Sequence, residues 1–400
     1  MKTYRGGQFH RILLSSLVPF AWLANASALE TLPSPSPTFS LRELDLDLTG
    51  SIDSRDLQTF ALYWRAHETF FGPDPTETDF RLLPGDLNGS GTSDAADLLL
   101  LLGGWHANTV TMDMVELPAG TFLMGNTRTS LDHRGCLCTH CQCELPQVER
   151  TIEEPFLIGK FEVTNRQVID VLNYALSRGD LTNLGADSFN GGKVYWGSHL
   201  VVDTAHTYSD IVFFQGRFHA RTRGEELMDE HPVKMITHSG ARIFCNLLSE
   251  MEGRPPAYDP SDLNLIDPQG GGYRLPSETE WEYACRGSES NPNRYAVFSC
   301  GNDPDLDMSY CDHSPILEPY AVWCGNTPSF SNGGWTRPVG SKLPNDYGLY
   351  DMHGNVFEMC EGGRFRGGGW NFPPRYCRSA YRPPQPITTG DNFLGFRVVR

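Results

Sequence analysis

Basic residues are scarce in this chain: 32 Lys and Arg stand against 49 Asp and Glu, a net charge of −17 over 400 residues. That deficit excludes a broad nucleic-acid-binding face, because nothing would neutralise a run of phosphates. Long apolar runs are lacking too. Ile12 to Leu23 is the longest, and it falls short of the roughly 20 apolar residues that a bilayer-spanning helix takes. Also missing are a Gly-x-Ser-x-Gly elbow, a phosphate loop and a His-Glu-x-x-His pair, which removes the motif-borne hydrolase and nucleotide chemistries. The twelve histidines are scattered, and a lone one such as His238 or His353 reads as structural.

What is present begins with Lys2, Arg5 and Arg11, the short apolar run, and Ala26-Ser-Ala28 as a small-residue cleavage site. Residues 1–28 read as a secretory signal, with a retained N-terminal anchor as the rival. The mature chain is then expected to be secreted or displayed at the cell surface, without a membrane span after cleavage. Eleven cysteines in an exported chain imply disulfides, and the odd count leaves at least one thiol over. Residues 29–40, rich in Pro and Ser, read as a linker.

Two matching acidic loops follow within residues 41–108. Asp45, Asp47, Thr49, Asp53 and Asp56 fall at positions 1, 3, 5, 9 and 12 of the first, with Gly50 at 6. Asp86, Asn88, Ser90, Asp94 and Asp97 repeat the pattern 41 residues on, with Gly91 at 6. Calcium takes six to eight hard oxygen ligands, and the glycine permits the turn that wraps them round one ion. Trp64 and Trp105 each lie 19 residues after a loop start. The pair resembles dockerin repeats, a small all-α EF-hand pair. It is expected either to clip a small domain with calcium or to dock a cohesin-like receptor on a scaffold or cell surface.

Residues 112–400 are dense in Gly, Pro, Asn and Trp, which suits a loop-rich α+β domain with short strands. Met114 to Gly125 reads as a strand entering a hairpin through Pro118-Ala-Gly120. Three helices are marked. Thr164 and Gln167 form a capping box before Val168, Val171, Leu172 and Ala175, with Gly179 as a stop. Ala241, Phe244, Cys245 and Leu248 make a second stripe that ends near Gly253. Ser277 and Glu280 cap a third, which buries Trp281, Ala284 and Cys285.

The run Arg274-Leu-Pro-Ser-Glu-Thr-Glu-Trp-Glu-Tyr-Ala-Cys-Arg-Gly287, then Tyr347 to Glu358, Arg366-Gly-Gly-Gly-Trp370 and Gly395-Phe-Arg397 together resemble the formylglycine-generating enzyme (sulfatase-modifying factor) family. The resemblance covers roughly residues 112–400, with insertions near 130–145 and 180–225. It implies a fold related to C-type lectins. It also implies calcium at the Asp351 to Glu358 turn, held by the Asp351 and Glu358 side chains and the Gly354 and Val356 carbonyls. The alternative is that Glu358 satisfies backbone donors in the turn. The family's second calcium site has no counterpart around Trp323 to Trp335.

The family's oxidases bind Cu(I) through two thiols that follow the Gly-Gly-x-aromatic motif, soft ligands for a soft ion. Here Phe372 occupies the first position. Counted forward, Cys377 stands at the second; counted back from Ala380, Arg382 and Gly395-Phe-Arg397, it lies beyond both. Under either count the two-thiol site does not form, so copper is not expected and no catalytic residue is assigned. The resemblance implies instead a Cys285–Cys377 disulfide, and it leaves Cys245 unpaired because its partner position is Val398. Cys136, Cys138, Cys141 and Cys143 lie in an insertion and are read as disulfides, a zinc site or a redox-active cluster. Three functions stay open. The chain is a binding module for a peptide, protein or glycan that has lost oxidase chemistry, an active oxidase of a sulfatase cysteine, or a purely structural scaffold component.

Overall fold

The computed structural model describes residues 110–126, 144–184, 192–214, 216–303, 305–327, 335–383 and 389–400. The signal, the linker, both acidic loops and the Cys136 to Cys143 cluster lie outside the described residues. The chain divides into two units, Met1–Leu101 and Leu102–Arg400. The described residues belong to the second.

Its chain order begins with β1 (Met114–Leu117), β2 (Gly120–Met124), β3 (Val148–Ile152) and β4 (Phe156–Gly159), then α1 (Asn165–Ser177). Seven short strands follow: β5 (Leu181–Thr182), β6 (Lys193–Trp196), β7 (His199–Asp203), β8 (Ile211–Phe214), β9 (Arg217–Ala220), β10 (Thr222–Arg223) and β11 (Glu226–Leu227). After α2 (His238–Met251) and α3 (Glu278–Arg286) come β12 (Ala321–Val322), β13 (His353–Gly354), β14 (Phe357–Cys360), β15 (Arg364–Arg366) and β16 (Leu394–Gly395). Among the described residues no helix is long and apolar enough to cross a membrane.

The three helices among the described residues start where local chemistry directs. Thr164 Oγ1 accepts from the Gln167 amide at 3.2 Å while Gln167 Oε1 accepts from the Thr164 amide at 2.9 Å. Ser277 and Glu280 repeat the exchange at 3.2 and 2.8 Å. Each cap satisfies an amide that the helix itself cannot pair, worth about 1 kcal/mol. Thr237 caps α2 with a single bond, accepting from Gly240 at 2.9 Å.

The expected hairpin at Pro118 does not form. β1 pairs antiparallel with β4, and β2 with β3, so the Pro118-Ala119 step passes the chain from one ladder to another. Packing decides this. A Cβ at Gly120 would meet Tyr283 Oη at 2.9 Å, so β2 starts hard against α3. β4 meanwhile joins the C-terminus, Leu157 and Arg400 exchanging backbone bonds at 2.9 Å.

The stretch expected as an insertion is a β extension. β6 pairs with β5 and β7, and β8 with β9. α1 packs on β9 and α2 on β7. Val171, Leu172, Val202, Phe218 and Phe244 lie in the largest apolar cluster, and buried Asn173 bonds both the amide and carbonyl of Phe218 at 3.0 and 3.2 Å. At the centre, β14 runs antiparallel to β15 and parallel to β16, while β12 and β13 make a two-residue parallel contact. These two ladders grip the Asp351 to Glu358 turn.

Candidate functional site

The turn is wound tightly. Asp351, Gly354 and Asn355 have φ of 61, 117 and 66°. A Cβ at Gly354 would sit 2.0 Å from the Val322 carbonyl oxygen, so glycine is required by both the dihedral and the neighbour. Asp351 Oδ2 accepts from the Gly340 amide at 2.7 Å. Glu358 is gripped from two sides. Arg397 Nε and Nη2 donate to its two oxygens at 2.6 and 2.7 Å, and Trp281 Nε1 adds a third bond at 2.7 Å.

Glu162, which the sequence reading did not single out, completes the group. Its Oε1 accepts from the Val356 amide at 3.0 Å and its Oε2 from Asn355 Nδ2 at 2.7 Å. The only sequence signal is an acidic residue set among Phe161 and Val163 just before a helix cap. Burial pushes the Glu162 carboxyl well above its ordinary range, and the charges of Asp351 and Glu358 push it further. Burial also raises Asp351 to about 6 against the pull of the Gly340 amide and Arg397.

The calcium set that the resemblance implies, Asp351, Gly354, Val356 and Glu358, lies along this turn. Calcium takes six to eight oxygens. Glu358 is bonded to Arg397 and Trp281, and the one unpartnered oxygen of the three carboxylates is Asp351 Oδ1. Among the described residues no three His, Cys, Asp or Glu side chains form a metal-holding group.

The glycine loop after β15 holds the position where the first thiol was expected. Arg366 anchors it, donating through Nη2 to buried Glu282 at 2.5 Å. Phe372 packs against Phe357, Phe393 and Tyr376 with ring centroids 5.2, 5.0 and 5.2 Å away, and its carbonyl accepts from the Cys324 amide at 3.2 Å. Cys377 is fully buried beside Phe298, Leu306, Met308 and Trp323. Burial pushes its thiol up to about 12. The free thiols of Cys245, Cys285, Cys300 and Cys360 are raised as well, in each case chiefly by burial. The thiolate is the form that attacks and binds soft metal, so none of the five is poised at neutral pH.

The expected Cys285–Cys377 disulfide is absent, and both thiols are free. Cys285 lies in the cluster of Trp281 and Met352, with the Ser379 hydroxyl as its side-chain neighbour. Cys377 Sγ lies against Gly368, where a Cβ would be 2.5 Å away. Between them stands His353. Its Nδ1 bonds the Cys377 carbonyl at 2.8 Å, and its Nε2 accepts from the Ser299 amide at 3.0 Å. Among the described residues a bridge joins Cys311 and Cys324, a pairing that spacing alone did not reveal.

Two surface recesses flank these elements. A polar cleft of about 360 Å³ is lined by Asp113, Phe161, Glu162, Arg166 and Glu230 among others. An apolar groove of about 250 Å³ lies between Trp196, Leu247, Pro256 and Pro260.

A model of the sulfatase-modifying factor enzyme 1-like domain matches residues 105–400. The chain belongs to the sulfatase-modifying factor family. The formylglycine-generating enzyme of Thermomonospora curvata is 36% identical to this family member over 261 residues, covering 63% of this chain and 71% of that protein. Inactive C-alpha-formylglycine-generating enzyme 2 of Bos taurus is 28% identical over 269 residues, covering 65% of this chain and 75% of that protein. In three dimensions it is similar to Treponema denticola variable protein 1, with a TM-score of 0.47 and 22% identity over 73% of this chain and 96% of that one. Against other curated relatives that it matches, the chain spans about half of their length, 52 and 56%.

Proposed function

We propose that this sulfatase-modifying factor homologue is an exported binding module that does not oxidise cysteine. Its C-terminal unit takes a peptide, protein or glycan ligand, and its dockerin-like loops bind calcium and hold the chain to a cohesin-like receptor or surface scaffold. The observation that carries the reading is Phe372, which stands at the first thiol position and is packed among Phe357, Phe393 and Tyr376. A phenyl ring supplies neither a metal ligand nor a nucleophile, and the buried, protonated Cys377 supplies no second thiolate. A bovine relative described as inactive agrees with this reading, though family likeness alone does not fix activity.

The test is a copper titration of the reduced protein together with aldehyde formation on a Cys-x-Pro-x-Arg peptide. No stoichiometric copper and no aldehyde are expected. Aldehyde formation at substrate levels would restore the oxidase reading. For the N-terminal part, deletion of residues 41–108 is expected to abolish calcium-dependent surface attachment, and unchanged attachment refutes the docking role.

A further inference from the structure

We propose that Arg294, flanked by Tyr283 and Tyr295, is the anchor of a binding site for an acidic side chain of a partner peptide. The site stands whether or not the chain oxidises cysteine. The Arg294 side chain is 6% exposed, and its guanidinium lies over the two tyrosine rings, 5.6 and 5.8 Å from their centroids. Among the described residues it is the one arginine whose Nε and Nη2 are both buried without a hydrogen-bond partner. Those two nitrogens form one edge of the guanidinium fork, and the two oxygens of a carboxylate match that edge. Arg397 shows the fit within this molecule, its Nε and Nη2 holding the two oxygens of Glu358 at 2.6 and 2.7 Å.

The surroundings fix the backbone under this side chain and leave a way in. The Arg294 amide donates to the Asn291 carbonyl at 3.1 Å, and its carbonyl accepts from Arg286 Nη1 at 3.1 Å. Tyr283 is the fixed wall, buried on α3 with its hydroxyl donating to the Pro118 carbonyl at 3.1 Å. Tyr295 is the movable one: it is 48% exposed, and its hydroxyl accepts a long bond from the Leu123 amide at 3.3 Å. Glu289, whose side chain is 78% exposed, approaches Nη1 at 3.8 Å, beyond hydrogen-bond range. That glutamate marks the solvent side from which an acidic side chain arrives. A buried charge whose donors go unmet is costly, and a carboxylate that meets them removes the cost.

The experiment follows the Arg294 Nε–H resonance of the full chain labelled at arginine nitrogen, assigned by its loss in Arg294→Lys. The probes are N-acetyl-glutamate methylamide, its glutamine isostere and inorganic sulfate, each added at constant ionic strength. A shift that saturates with the glutamate probe and is absent with the glutamine one is the expected result. A shift that rises without saturating, or that both amino-acid probes give alike, overturns the inference. Sulfate saturating at lower concentration than the glutamate probe overturns it too, since the edge would then serve a tetrahedral anion. Glu289→Gln changes an exposed position and keeps the fold testable. It should lower the half-saturating concentration by about twofold, the scale of an exposed ion pair. An unchanged midpoint in that variant counts against the site in the same way.

Discussion

Asn355 Nδ2 donates to Glu162 Oε2 at 2.7 Å across 193 positions of sequence. That bond, with the one from the Val356 amide, ties the approach to α1 to the turn that leads into β14. The turn is held from outside by a carboxylate and from below by Arg397, and its own motif residues are only part of the structure that shapes it.

Glu162→Gln should therefore destabilise the protein by about 1–3 kcal/mol, because one buried donor then faces an amide NH₂ instead of an acceptor. The midpoint of denaturant unfolding should fall with its slope unchanged. A loss under about 0.5 kcal/mol would show that the turn does not depend on Glu162.

Asp351 and His353 give opposite pH dependences. Burial raises the Asp351 carboxyl from 3.8 to about 6, so between those values the folded protein keeps a proton that the unfolded chain has released. Its contribution to stability is full below that window and is lost as pH rises through it. Burial lowers His353 from 6.5 to about 4, so there the unfolded chain holds the extra proton. Its contribution is full above pH 6.5 and is lost as pH falls toward 4. Each amounts to roughly 3 kcal/mol at about 1.4 kcal/mol per pKa unit. Relative to the parent, the stability of Asp351→Asn should climb with pH between about 4 and 6, and that of His353→Gln should decline. Parallel pH curves for parent and variants would contradict this.

Gly368 has φ 86°, and a Cβ there would lie 2.5 Å from Cys377 Sγ, 2.7 Å from its Cα and 2.9 Å from its amide nitrogen. Gly368→Ala should cost upward of about 2 kcal/mol. Adding Cys377→Ala should not restore the loss, since two of the three close atoms are backbone. Recovery in the double variant would mean that the thiol alone sets the conflict.

The Cys311–Cys324 bridge closes a 13-residue separation, worth about 3 kcal/mol on the chain-entropy model. The Cys324 amide also donates to the Phe372 carbonyl. Replacing both cysteines by Ser should lower stability by that order and increase amide exchange in the Phe372 segment. Unchanged exchange there would separate the bridge from the loop.

Phe372→Cys should not create an oxidase. The new thiol would enter an aromatic pack, and Cys377, buried and raised to about 12, offers no second ligand. Copper competition with a Cu(I) chelator dye should show no tight site. A tight one-to-one complex would mean that a single substitution suffices.

The sequence by itself determined what depends on near neighbours. Thr164 with Gln167 and Ser277 with Glu280 placed two helix starts, because those caps close within three residues. The apolar stripes of Phe244, Cys245 and Leu248, and of Trp281, Ala284 and Cys285, marked which helix faces are buried. Motif spacing set Phe372 where the resemblance implies the first thiol. Tertiary structure alone decided the rest: that β1 pairs with β4, that Ser379 faces Cys285, that Cys311 meets Cys324, and that Arg397 and Trp281 claim Glu358. Those contacts join residues far apart in the chain, and which donor reaches a buried carboxylate depends on packing that no local spacing encodes.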